Sequence, residues 1–485
     1  MGRRDSEIES GRVYRSVGRH RAWLNLCLAL GMFGAHAACI FPETVNKRLK
    51  RYEPSGGYRF ANIEKGPNNS DETFVCLTLS GGGARAAALA YGVMEGLREL
   101  PAPGGKGVML DELDIISSVS GGSFAAMGYG AWGDAFFEGE FRRRFLDLNL
   151  PMEIVRQMLD PRIAFRLPSA VLDRTDVAAS YYDDRIFEGY TYGDLRRRNQ
   201  RPFIVINSTN IATSTRVEFT QQDFDLLASN LDSVPVGWAV AASSAFPVVF
   251  SPLRMKYHKP LAEMDVIHHH VMAAKSADYE SRLQKWAHHI ATRQPDPGTG
   301  QYDLDRSRHR YLFLGDGGLV DNLGLRHVID SMQHGEIEEM IDAGRIKRLI
   351  VITVDAGVSS NMPIEDRATS PGIFMQTFQA ASIGVDNYSD ALVRIMNHLM
   401  CEEPRIYESA ALAVGAACPE AEVKFRSNRA EVQREFLHIG FHQIEDAERR
   451  ARFDEIPTSL FLPKRDVDDL IALGRELITK SMTRE

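Results

Sequence analysis

The sequence predicts an α/β fold with a mainly parallel central sheet flanked by helices. Three observations carry this. Apolar runs of strand length recur at residues 74–79, 113–119, 202–207 and 349–354, too short for helices and rich in β-branched and aromatic residues. The first two end in small, glycine-rich turns and are followed by stretches of helical period, and strand–turn–helix alternation builds a parallel sheet. The chain is also long enough for a large core, with 485 residues, 44% of them hydrophobic and 25% charged.

At the N-terminus, Arg3, Arg4, Arg12, Arg15, Arg19 and Arg21 precede an apolar stretch over 22–41 that ends in Ala37-Ala38-Cys39. A basic flank, an apolar run and small residues describe a secretion signal over 1–38. Its length of about 20 residues also suits a retained membrane anchor, and Ala37-Ala38-Cys39 is similar to the site where bacterial lipoproteins are cleaved and lipidated. The expected location is the cell envelope, membrane-associated through Cys39 or periplasmic. Residues 39–70, with Pro42, Pro54, Gly56, Gly57 and Pro67, read as a tether.

The strand at 74–79 runs into Gly81-Gly82-Gly83, and residues 86–100 read as a helix with Leu89, Val93, Gly96, Leu97 and Leu100 on one face. The strand at 113–119 ends at Ser120, and Gly121-Gly122 opens the next helix. After the strand at 202–207, Ala241 to Pro247 closes a helix into a loop. Residues 255–310 form a more polar insertion with amphipathic stretches, read as a surface helix or a lid. A strand over 312–314 leads to Asp316, and 349–354 is the last strand of a unit spanning 71–360. Residues 361–485 form an extension packed on it.

The net charge of −8 and the pI of about 6.0 argue against a nucleic-acid partner. Of the five cysteines, Cys76 lies in an apolar strand and reads as a buried hydrophobe. Cys401 and Cys418 would pair or stay reduced according to compartment. No Cys/His spacing describes a metal site, and His268-His269-His270 reads as a solvated face.

Three small motifs carry chemistry. A serine hydroxyl needs a base and a sharp turn that projects it from a strand end. Ser120 sits in Ser118-Val119-Ser120-Gly121-Gly122, with small residues two positions to either side, and Ser117, Ser118 and Ser123 as local competitors. Gly81-Gly82-Gly83 leaves a strand and enters a helix, where successive amides can face one anion, an oxyanion or a phosphate. Asp316 precedes Gly317-Gly318, which exposes its carboxylate in a turn, and Asp321-Asn322 stands ready to brace that turn. A nucleotide-binding or inactive lipid-binding module is the alternative. The glycine loop lacks both the Gly-x-Gly-x-x-Gly pattern and a Gly-Lys-Ser/Thr ending. Arg85, the one charge at this loop, would hold its shape or attract an anionic head group.

Together, in this order, these motifs resemble those of the patatin-like phospholipases. Gly81, Gly82, Gly83 and Arg85 match the family's Gly-Gly-Gly-x-Arg; Ser120 and Gly122 match Gly-x-Ser-x-Gly, with Ser118 for the first glycine; Asp316, Gly317 and Gly318 match Asp-Gly-Gly. Ala241 to Pro252 is similar to its Ala-Ser-x-Ala-x-Pro-x-x-Phe block. The resemblance implies a patatin-like three-layer fold and a lipid acyl hydrolase without a cofactor or metal. It implies Ser120 as nucleophile, Asp316 as base, the three glycines as the oxyanion hole, and a lipid or phospholipid substrate met at a membrane surface.

Overall fold

A computed structural model describes residues 44–103, 106–164, 173–247, 249–259, 261, 310–358, 373–402 and 431–483. The N-terminal basic and apolar segment with Cys39, nearly all of the 255–310 insertion with its histidine run, His309 and Cys418 lie outside the described residues.

The central sheet has eight strands: β1 (Thr73–Leu79), β2 (Leu113–Val119), β3 (Phe203–Asn210), β4 (Thr215–Glu218), β5 (Leu253–Lys256), β6 (Tyr311–Asp316), β7 (Arg348–Asp355) and β8 (Gln433–Gly440). They run in the order β8-β7-β1-β2-β3-β6-β5, with β4 also paired to β3. The β8–β7, β7–β1, β1–β2 and β2–β3 pairs are parallel, and those made by β4, β5 and β6 are antiparallel. The mainly parallel sheet expected from the strand–turn–helix alternation is therefore present. Strands β1 and β2 are buried along their whole length, as expected where helices cover both faces of a sheet.

Helix α1 (Gly83–Glu99) follows β1, and α2 (Gly121–Trp132) follows β2. Gly122 packs against Leu79, so α2 covers the sheet face that carries Leu79 and its register partner Ser118. α8 (Lys464–Met482) lies along α1, where Gly92 and Gly96 let the two backbones approach Ile471 and Arg475. Numbered between these are α3 (Leu150–Met158), α4 (Val236–Ser243), α5 (Gly318–Asp321), α6 (Leu325–His334) and α7 (Ile373–Asn397). Gly324, at the start of α6, meets the Ser117 carbonyl on the opposite sheet face. The molecule thus has three layers, with helices on both sides of the sheet.

The sheet does not end at residue 360. β8 pairs with β7 over eight consecutive positions, so the C-terminal extension supplies an edge strand as well as α8. Among the described residues no helix is long and apolar enough to cross a membrane.

Candidate active site

The register of the sheet brings the nucleophile candidate to the acid candidate. Val119, the last residue of β2, lies opposite Asn207 of β3, and Asp316, the last residue of β6, lies opposite Ser208. β4 fills the other edge of β3 at these positions. β2 and β6 therefore approach along one edge of β3 from opposite directions, and their C-terminal ends meet. The Ser120 hydroxyl thereby comes near enough to the Asp316 carboxylate to lower its pKa.

Ser120 has φ 47° and ψ −117° between β2 and α2. A non-glycine residue held at positive φ stores about 1–3 kcal/mol of strain, and such strain concentrates at functional sites. Two features hold it. The Ser120 amide donates to Ser243 Oγ at 2.9 Å, and Ser243 Oγ donates to the Asn207 carbonyl at 2.6 Å. The backbones also crowd: a Cβ on Gly122 would lie 2.6 Å from the Leu79 carbonyl oxygen and 2.7 Å from that of Ser80, and one on Gly121 would collide with the Gly83 carbonyl. Gly121→Ala is expected to push the serine turn away from the glycine loop. It should cost about 1–3 kcal/mol of stability and most of any hydrolytic activity, read by urea unfolding and an ester assay on one preparation.

The competing serines are fully buried. Ser117 Oγ accepts from Asn207 Nδ2 at 2.9 Å, Ser118 Oγ donates to the Val205 carbonyl at 3.4 Å, and Ser123 Oγ is 3.1 Å from Ser243 Oγ. Ser120 is only half-buried, so it is the member of the cluster that solvent can reach.

Asp316 is 3% exposed. Burial pushes its carboxyl up to about 7, against the Gly318 amide and the nearby Ser120 hydroxyl, which pull it down. The Gly318 amide donates to Asp316 Oδ1 at 2.7 Å, and Thr209 Oγ1 donates to the Asp316 carbonyl at 2.6 Å. Gly317 sits against the Asn207 carbonyl, where a side chain would not fit. Asp321 braces the loop by accepting the Arg326 amide at 2.9 Å and the Leu325 amide at 3.3 Å. His327, the described histidine near this loop in sequence, places Nδ1 3.0 Å from Glu218 Oε1.

The three glycines are not equivalent. The Gly81 amide donates to the Asn322 carbonyl at 2.9 Å, which removes it from the set of free donors. Gly82 and Gly83 have φ of 138° and 63°, which a side chain would strain. Their amides have no acceptor among the described residues. Gly121 is the first residue of α2, so its amide has no intrahelical partner. It is a third free donor beside Ser120 that the sequence reading missed. The rule that the residue after the nucleophile contributes its amide could have found it.

Arg85 is 3% exposed and donates to the Ile456 carbonyl. Burial lowers its guanidinium to about 10, partly offset by Asp355 and Asp454. It therefore fastens the C-terminal segment instead of reaching a head group. That segment also bonds to the loop directly, with the Ala84 amide donating to the Ser459 carbonyl at 2.6 Å. Arg85→Met should destabilise the fold by about 1–3 kcal/mol, measured by chemical unfolding, because it leaves the Ile456 carbonyl without its donor. Among the described residues no cluster of His, Cys, Asp or Glu could hold a metal ion.

Solved structures similar to this chain include human GIVD cytosolic phospholipase A2 in complex with a methyl gamma-linolenyl fluorophosphonate inhibitor and terbium chloride. It is 15% identical, with a TM-score of 0.38, over 85% of this chain and 58% of that one. The chain thus spans somewhat more than half the length of that enzyme. VipD from Legionella pneumophila is 12% identical, with a TM-score of 0.29, over 86% of this chain and 70% of that one. No curated protein matches. The family model described as patatin-like phospholipase matches residues 77–329, a span that holds the glycine loop, the Ser120 turn and the Asp316 turn. That match covers more than half of the chain, and the protein belongs to the patatin-like phospholipase family.

Proposed function

We propose that the protein is a lipid acyl hydrolase that cleaves carboxylic esters of lipids or phospholipids through Ser120 and Asp316. The observation that carries this reading is the meeting of the β2 and β6 ends, which sets a strained, half-buried serine beside a buried carboxylate whose pKa is raised to about 7. A free aspartate near 3.9 is too weak a base for a serine hydroxyl, whereas a general base works best when its pKa lies near the working pH.

In the first half-reaction Asp316 accepts the Ser120 proton as Oγ bonds to the ester carbonyl carbon. The carbonyl electron pair moves onto oxygen, and the oxyanion is met by the amides of Gly82, Gly83 and Gly121. Collapse breaks the ester C–O bond. Asp316 returns the proton to the leaving alcohol, and the acyl group stays on Ser120. In the second half-reaction Asp316 takes a proton from water as its oxygen attacks the acyl carbon. The Ser120 Oγ–carbon bond then breaks, Oγ takes the proton back from Asp316, and the carboxylic acid departs. The step needs no cofactor.

Membrane association is part of the same proposal. An N-terminal anchor, or acyl chains on Cys39, would hold the site beside its substrate, each buried CH₂ contributing about 0.8 kcal/mol. The test is release of free fatty acid from phosphatidylcholine–detergent micelles by the purified folded protein. Fatty acid formed with multiple turnovers supports the reading, and its absence from folded protein over a panel of phospholipid and neutral esters argues for the inactive lipid-binding alternative.

A further inference from the structure

We infer that Ser80 is the positioning residue of the oxyanion site, aiming the Gly82 amide through a hydrogen bond to the Gly81 carbonyl. This inference rests on the proposed acyl hydrolysis. Ser80 is 2% exposed and lies between the end of β1 and the glycine loop. Its hydroxyl donates to the Gly81 carbonyl at 3.1 Å and accepts the Ala356 amide at 2.9 Å. Its own amide donates to the Val354 carbonyl at 3.0 Å, and its carbonyl accepts the Gly122 amide at 3.2 Å. With the Gly81 amide given to Asn322 at 2.9 Å, every polar backbone group of Ser80 and Gly81 is occupied. The next amide along the chain, that of Gly82, is the first one free.

Peptide geometry turns this occupancy into direction. A trans peptide is planar, so the N–H of Gly82 points opposite to the C=O of Gly81. Gly81 and Gly82 lack side chains, and Gly82 has φ of 138°, so no Cβ of their own fixes this peptide plane. The Ser80 hydroxyl supplies the missing restraint. It holds the carbonyl toward the buried Ser80 hydroxyl, which Ala356 fixes in turn, and so directs the N–H of the half-buried Gly82 the opposite way. The restraint comes from outside the 77–329 core on one side: Ala356 fixes the hydroxyl that fixes the peptide.

The experiment compares wild type, Ser80→Ala and Ser80→Thr for kcat and KM on a soluble ester. Each rate is divided by the fraction of sites that an alkyl fluorophosphonate labels at its endpoint, and each protein's melting temperature is recorded. An oxyanion donor acts on charge that develops only in the transition state, so its loss appears in kcat with KM nearly unchanged. Removing such a donor outright costs about 10²–10³-fold; a donor left in place but loosely aimed should cost about 10–100-fold in kcat. Ser80→Thr, which keeps the hydroxyl, should recover most of that loss. An unchanged kcat per labelled site in Ser80→Ala would overturn the inference while leaving the hydrolase reading intact. So would a Ser80→Ala protein that no longer folds, or a fall that Ser80→Thr shares in full, since each assigns Ser80 to the scaffold. A wild-type protein that neither turns over ester nor takes up the fluorophosphonate overturns both.

Discussion

Ser120→Ala is expected to lower ester hydrolysis by at least about 10³-fold, because no neighbouring hydroxyl can replace the lost nucleophile. Ser117, Ser118 and Ser123 are each fully buried and hydrogen-bonded within the protein. The fold should survive, since the change deletes one oxygen at a half-buried turn. The φ of 47° at this position remains strained for alanine. Ser120→Gly should therefore be equally inactive yet melt at a higher temperature than Ser120→Ala. The comparison separates loss of chemistry from loss of structure by calorimetry and a steady-state assay on the same samples. Residual activity of about a tenth of wild type in both variants would move the nucleophile elsewhere.

Asp316→Asn is the second large effect. It keeps the size of the side chain and removes the base, so turnover should again fall by orders of magnitude at every pH. In the wild type the base must be ionised, and burial places its carboxyl at about 7. kcat/KM should therefore rise tenfold per pH unit on the acid side and level off above about pH 7. Stability should run the other way. The folded-state pKa lies above the unfolded value of about 3.9, so between about pH 4 and 7 the native state binds the proton the unfolded chain has released. The stability associated with this group is fully present below about pH 4 and is lost as pH rises through about 7. Asp316→Asn carries no such dependence and should be more stable than wild type at pH 8, by a margin that vanishes near pH 4. Urea unfolding across that range measures it. A pH–rate profile that is flat from 5 to 8 would contradict the assignment of Asp316 as base.

How much of this was legible in the sequence depended on whether a contact is local. The strand, turn and helix around Ser120 are contiguous, and apolar period and small residues specify them. Even so, the helix after the glycine loop begins at Gly83 and not at 86. Glycine has poor helix propensity, but here it starts the helix where only a positive φ fits. The pairing of Ser120 with Asp316 was legible only through the family pattern, because it depends on β2 and β6 meeting along one edge of β3. What stayed hidden was made by distant segments. The Asn322 carbonyl that occupies the Gly81 amide, the Ser243 hydroxyl under the Ser120 amide and the Ser459 carbonyl on the Ala84 amide leave no periodic trace. β8 was missed for a different reason. It is an edge strand, and Gln433, Arg434, Glu435 and His438 interrupt the apolar run that marks the buried strands.

The three glycines illustrate the limit most sharply. They match one motif and look interchangeable, but hydrogen bonding divides them into one bound amide and two free ones. Sequence can say that a glycine is needed at such a loop; only the fold says which amide is left over.

Covalent capture reads out whether Ser120 is a nucleophile activated by Asp316. An alkyl fluorophosphonate should label wild type to one equivalent. Peptide mass mapping should place the adduct on Ser120, and the labelling rate should rise with pH through about 7 and collapse in Asp316→Asn. An adduct on any other residue, or a labelling rate that Asp316→Asn leaves unchanged, would contradict it.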